Sequence, residues 1–202
     1  MYKVLKIEAK GTRMLISLDN NISFLLYKGE MRKFNIVEED FIEEAIYLEI
    51  IEVLYKRARE RALYLLDDSY KTEQQIRDKL KAGYYPEEII RRVIEYLKEY
   101  GLIDDLRYCR LYIDYKSMSK SKKQIIQDLY IKGVQKNTIE QAFLESDYVE
   151  EDSLRKVIEK RLSRYDLENS KDVQKFYRYL IGKGYPYGDV RKALSKYIEN
   201  ID

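Results

Sequence analysis

Three times over, at a spacing of about 50 residues, the chain repeats one two-helix pattern, and this internal repeat limits its fold more than any other feature. Helix-length segments run from Thr72 to Lys81 and Pro86 to Tyr100, from Ser121 to Lys132 and Asn137 to Glu145, and from Ser170 to Lys183 and Pro186 to Glu199. Apolar positions superpose along them: Ile76 and Leu80 match Ile125 and Leu129, then Phe176 and Leu180. Ile90, Val93 and Ile94 likewise match Ile139, Ala142 and Phe143, then Val190, Ala193 and Leu194. A glycine follows the first helix of each pair, at Gly83, Gly133 and Gly184, where a C-cap favours one. Thr72-Glu73-Gln74-Gln75 and Ser121-Lys122-Lys123-Gln124 both read as capping boxes. A further helix precedes each pair, in Lys56 to Asp67, Asp105 to Met118 and Glu151 to Tyr165. Repeated helical units contact mainly their neighbours, so the expected molecule is mostly α, elongated and curved, with one long face open to a partner.

The joint Gly101-Leu102-Ile103-Asp104-Asp105 separates the first unit from the second. Gly101 suits a left-handed C′ position, Leu102 is expected to fold back as its hydrophobic contact, and Asp104 and Asp105 suit the start of the next helix. Residues 1 to 36 differ from the rest: short runs such as Val4 to Ile7, Met14 to Leu18 and Ile22 to Leu26, separated by turn residues, predict a small antiparallel β segment. From Glu38 the period changes to that of a helix, acidic at first and basic after Lys56, which could run unbroken to Asp67. The expected division is therefore a β segment over 1–36, an acidic linking helix over 37–55, and three-helix repeats over 56–104, 105–148 and 149–202.

Charged residues make up 37% of the chain and prolines number two, which fits solvated amphipathic helices. With one cysteine and no histidine, the chain cannot assemble an internal disulfide, a typical zinc site or a histidine-based triad, and no cofactor is implied. No apolar run reaches membrane-spanning length and the N-terminus lacks a signal-peptide core, so a cytoplasmic protein is expected. Adjacent acids at a helix start favour Asp104 and Asp105 as caps over metal ligands or a general-base pair. Gly182-Lys183-Gly184 reads as a helix end, because it does not match a phosphate-binding loop. Cys109 shares a stripe with Leu106 and Ile113 and reads as a small buried residue.

The remaining candidate is electrostatic. Between Leu106 and Lys136 the basic residues Arg107, Arg110, Lys116, Lys120, Lys122, Lys123, Lys132 and Lys136 stand against Asp114 and Asp128 only. The first seven are the candidate contacts to a partner or to nucleic-acid phosphates, set against the plainer reading of a solvated lysine face. The chain's 21 tyrosines read mainly as helix-edge residues with buried rings and wet hydroxyls.

Taken together, these residues resemble the RecX family, regulatory proteins that restrain the recombinase RecA. The resemblance runs from about Arg57 to the C-terminus and rests on Ala62-Leu63-Tyr64-Leu65-Leu66, on Thr72-Glu73 with Ile76 and Leu80, and on Gly101-Leu102-Ile103-Asp104-Asp105 followed by Arg107-Tyr108. It continues through Ile125, Leu129 and Lys132-Gly133-Val134 into Arg178-Tyr179-Leu180 and Gly184-Tyr185. The loop from Ser117 to Lys123 departs from it, since many relatives carry a glycine there. The resemblance implies a non-enzymatic inhibitor in DNA repair, recombination and the SOS response, and an elongated monomer is the simplest expectation for its oligomeric state. It would bind the RecA filament on single-stranded DNA, with weak direct DNA contact, and limit filament growth, ATP hydrolysis and strand exchange. A helical DNA-binding transcriptional regulator and a helical scaffold protein are the alternatives.

Overall fold

The structure, a computed structural model, describes residues 1–198. It is mostly helical with a small N-terminal antiparallel sheet, and it divides into two compact units, Met1–Asp104 and Asp105–Asp202.

In the first unit, strands β1 (Tyr2–Lys10), β2 (Arg13–Leu18), β3 (Ser23–Tyr27) and β4 (Phe41–Ile42) lie in the order β3-β2-β1-β4, all antiparallel. Val4, Ile16, Leu18, Phe24, Leu26 and Ile42 share one core with the long helix α2 (Glu44–Asp68) and with α3 (Glu73–Ala82) and α4 (Glu87–Glu99). The sheet buries its apolar face in this shared core rather than standing as a separate layer.

Two features depart from the sequence reading. A short helix, α1 (Lys28–Lys33), follows β3, and α2 starts at Glu44 rather than Glu38. Buried Ile42 and its neighbour Phe41 pair with Tyr2 and Lys3, and the backbone of Glu39 and Asp40 bonds Val4. The acidic stretch before α2 is therefore spent on the sheet edge, where Glu39 meets Lys3 at 2.7 Å and Glu38 accepts the Ile7 N–H. Once started, α2 runs as one helix through Lys56.

At Gly101 the chain ends α4 as expected, with φ +62° and paired bonds from Gly101 N to Lys98 O and from Leu102 N to Leu97 O. The side chain that returns to the core is Ile103, however, and Leu102 is exposed.

The second unit holds α5 (Asp105–Lys116), α6 (Lys122–Ile131) and α7 (Lys136–Leu144), followed by α8 (Glu150–Arg161), a 3-10 turn (Leu162–Arg164), α9 (Ser170–Gly182) and α10 (Tyr187–Ile198). Cys109, Ile113, Ile125, Leu129, Val134, Ile139 and Ala142 form one core, and Leu154, Ile158, Phe176, Leu180, Tyr185, Val190 and Leu194 form another. Of the superposed positions all but the half-buried Phe143 and Ala193 are buried, with Ile76, Leu80, Ile125, Leu129, Phe176 and Leu180 fully enclosed. Cys109 is buried, as its stripe predicts.

Candidate partner and nucleic-acid interface

The seven candidate residues are carried by α5, by the turn Ser117–Ser121 and by the two ends of α6. Their surroundings separate them into groups that the sequence does not distinguish.

Asp128, on α6, gathers two of them, Lys120 and Lys132. Its carboxylate accepts from Lys120 Nζ and, at 2.7 Å, from the Tyr112 hydroxyl on α5. Lys132 stands 5.5 Å and Lys116 5.9 Å from the centre of the Tyr112 ring. Burial by itself would raise the Asp128 pKa, but the bonds from Lys120 and Tyr112 and the charges of Lys120 and Lys132 outweigh it and hold the carboxyl below its usual range. Burial first, then the bond to Asp128, pushes the Tyr112 hydroxyl well above the usual tyrosine range. This carboxylate therefore fixes Lys120 and partly neutralises Lys120 and Lys132.

A second correction concerns α7. The charge count stops at Lys136, but α7 and its C-cap supply Glu140 and Glu145, which pair with Lys136 and Arg110. Arg110 is thus engaged across α5 and α7, while Arg107 is exposed on α5.

Lys116, Lys122 and Lys123 take part in none of the ion pairs among the described residues. Lys116 lies 4.1 Å from the ring centre of the exposed Tyr115, and Lys122 lies 5.0 Å from that of Phe143. Lys122 and Lys123 are exposed in the first turn of α6, which contains no acid. Of the two expected capping boxes, Thr72 forms both halves. Ser121 accepts the Gln124 N–H, and its own proton goes to the Lys183 carbonyl at 2.7 Å.

That bond belongs to a polar joint that sequence reasoning missed. The Lys120 carbonyl accepts from Ser153 Oγ at 2.8 Å and from the Tyr148 hydroxyl at 3.1 Å. Tyr185 meets Ser153 at 2.8 Å, and Glu150 accepts the Lys122 N–H at 3.1 Å. Burial raises the Glu150 pKa, with the Lys122 N–H acting against the shift. The available signal was the repeat register, which places Tyr185 where Tyr85 stands in the first unit and Ser121 where Thr72 stands.

Comparison with known proteins decides the family. The model described as RecX, first three-helix domain, matches residues 58–97, and that of the RecX third three-helix domain matches residues 149–194. The chain is 31% identical to "Regulatory protein RecX" of Clostridium acetobutylicum, over 96% of this chain and 95% of that protein. The chain belongs to the RecX family. It is also 36% identical to the RecX protein of Clostridium tetani over 70% of this chain and 68% of that one. Two crystal structures share the RecX fold at 24% identity. One, of a regulatory protein RecX, has a TM-score of 0.64 over 96% of this chain and all of that one. The other, of RecX from Lactobacillus salivarius, has a TM-score of 0.64 over 73% and 98%. Among the described residues, no helix of this RecX family member is long and apolar enough to cross a membrane.

Proposed function

We propose that this chain binds the RecA filament assembled on single-stranded DNA and restrains its growth, ATP hydrolysis and strand exchange, acting by binding with no turnover of its own. The observation that carries the reading is the pair Lys122 and Lys123. Each places an exposed positive charge in the first turn of α6 and enters none of the side-chain ion pairs among the described residues, while the Glu150 carboxylate, which accepts the Lys122 N–H, is the acid at this helix start. Exposed and outside the ion pairs of the fold, these two charges are available to a partner. Lys116, on the neighbouring α5, extends the same positive surface, to which DNA phosphates or an acidic surface of the filament are complementary. Family membership supplies the identity of the partner.

The test is RecA ATP hydrolysis on single-stranded DNA, titrated with this protein far below the RecA concentration, beside a DNA-binding control without RecA. Inhibition at substoichiometric ratios with weak binding to bare DNA is the expected result. No inhibition overturns the reading, and tight, sequence-selective binding to bare duplex replaces it with that of a DNA-binding regulator.

A further inference from the structure

The stretch from Ser117 to Lys123, which carries Lys120, Lys122 and Lys123 into the start of α6, has neither glycine nor proline and is polar apart from Met118, a composition that by itself fixes no conformation. Its first half is anchored to the end of α5, where the Ser119 and Lys120 N–H groups bond the Lys116 carbonyl, and its second half is held from outside. Ser153, in α8, has one hydroxyl proton and donates it to the Lys120 carbonyl, so the 2.8 Å contact with Tyr185 is a bond that Ser153 accepts. Tyr185, Ser153 and Lys120 thus form a directed chain running from the α9–α10 turn to the lysine turn. Tyr148 donates to the same carbonyl, Ser121 donates to the Lys183 carbonyl at the end of α9, and Glu150 at the start of α8 takes the Lys122 N–H. Ser121, Ser153 and Tyr185 are buried, and a buried hydroxyl left without a partner costs about 1–3 kcal/mol, so the joint is stable only when closed.

Close packing gives the same answer independently. At Gly184, with φ +88°, an added Cβ would lie 2.9 Å from Ser121 Oγ and 3.2 Å from Lys123 Cβ. The repeat register puts Tyr84 at the equivalent position of the first unit, also at positive φ but carrying a full side chain. The space next to Gly184 is therefore closed by the lysine turn, a demand the repeat itself does not make.

We infer that the third three-helix unit, together with Tyr148 at the end of the second, clamps the lysine-bearing turn of the second in one conformation, so that Tyr148, Ser153 and Tyr185 are positioning residues for the charges that meet the partner. The partner-facing role of those charges rests on the function proposed above, and the clamp itself does not. It presents Lys122 and Lys123 from a fixed backbone, so their charges reach the partner without first being ordered.

The test compares the full chain with Ser153→Ala combined with Tyr185→Phe, and separately with Tyr148→Phe, which removes one partly buried hydroxyl and keeps the ring. Amide hydrogen exchange at residues 119–123 is expected to quicken at least tenfold in the double variant and several-fold in Tyr148→Phe, with the α5 and α9 core amides unchanged. The concentration for half-inhibition of RecA ATP hydrolysis is expected to rise about fivefold, and to rise no further when the same changes are made in a Lys122→Gln, Lys123→Gln background. Unchanged exchange in Tyr148→Phe and in a folded double variant overturns the clamp. An equal, additive loss of inhibition in the lysine-free background overturns the positioning role. A wild-type protein that does not inhibit RecA at all removes that role together with the proposed function, while the exchange measurement still decides the clamp.

Discussion

Tyr84 is the residue at which the repeat and its glycine part company. The sequence places Gly83 level with Gly133 and Gly184, but counting four residues on from Leu80, Leu129 and Leu180 gives Tyr84, Gly133 and Gly184, all with positive φ. Gly83 has φ −84° and is small for another reason, since a Cβ there would meet the Tyr85 ring at 3.0 Å and the Leu80 carbonyl at 3.1 Å. A left-handed L-residue costs about 1–2 kcal/mol, so Tyr84→Gly is expected to stabilise the protein by about 1 kcal/mol and Gly83→Ala to destabilise it, as measured by urea unfolding. Glycine placement was legible as "a cap is here", but which residue turns left-handed depends on where the helix hydrogen bonds stop. At Lys123 the sign of the effect itself is diagnostic. Lys123→Glu places an acid in the first turn of α6 and should raise stability by about 0.3–1 kcal/mol while weakening RecA inhibition. Stability and activity falling together would mean that Lys123 has a structural role instead.

At the scale of elements, periodicity revealed every helix longer than six residues, because each buries one stripe, and it failed where contacts distant in sequence decide. Nothing local marks Phe41–Ile42 as a strand, since only pairing with Tyr2–Lys3 makes it one. α1 is held in the same way: Glu30 accepts the Tyr27 N–H at 2.8 Å and pairs with Arg57 of α2, 27 residues away. Arg57 also donates to the Leu25 carbonyl at 3.3 Å and lies 4.9 Å from the Tyr27 ring centre, tying α1, β3 and α2 together. Arg57→Met keeps the apolar stem but leaves Glu30 without its cation, and should cost about 1–3 kcal/mol, with Arg57→Lys recovering only part because it lacks the forked donor. The candidate site was legible to the same degree. The lysines were visible as a cluster, while Asp128, Glu145, Ser153 and Tyr185, which decide how those charges are held, become neighbours only on folding. Acid stability can be argued on the same footing for the start of α3. Burial would raise the pKa of Glu73, but Lys98 and Arg77 outweigh it and hold it below its ordinary value. A carboxyl depressed in this way stabilises the fold above its unfolded pKa and loses that contribution as pH falls through the folded value. Glu73→Gln should therefore flatten the decline of stability below about pH 4.5, as measured by unfolding across that range.

For the whole molecule the decisive fact is that the chain forms two compact units meeting at Asp104–Asp105, each with its own buried residues. The lysine turn lies in the second, so that unit should carry the charge-dependent share of binding, and the covalent link should supply the rest through effective concentration. Reversing Lys120, Lys122 and Lys123 to glutamate tests the first statement. If these lysines meet the phosphates of single-stranded DNA in the filament, each contact contributes about 0.7 to the slope of log affinity against log salt, and the variant's slope should fall by up to about 2. Because Lys120 also serves Asp128, Lys122→Gln with Lys123→Gln provides the control that leaves this pair intact, and it should retain most of that fall. An unchanged slope with unchanged inhibition would take the turn out of the interface. A weaker inhibition with an unchanged slope would mean that the turn meets protein rather than DNA, because an acidic protein surface releases no condensed counterions of the kind that give nucleic acid its steep salt dependence. Residues 105–202 alone, whose two cores are joined by the Ser121, Ser153 and Tyr185 bonds, should keep the salt slope of the full chain at lower affinity. Mixing in residues 1–104 as a separate chain should not restore the potency of the full chain, since two separate chains lack the effective concentration that a covalent link provides.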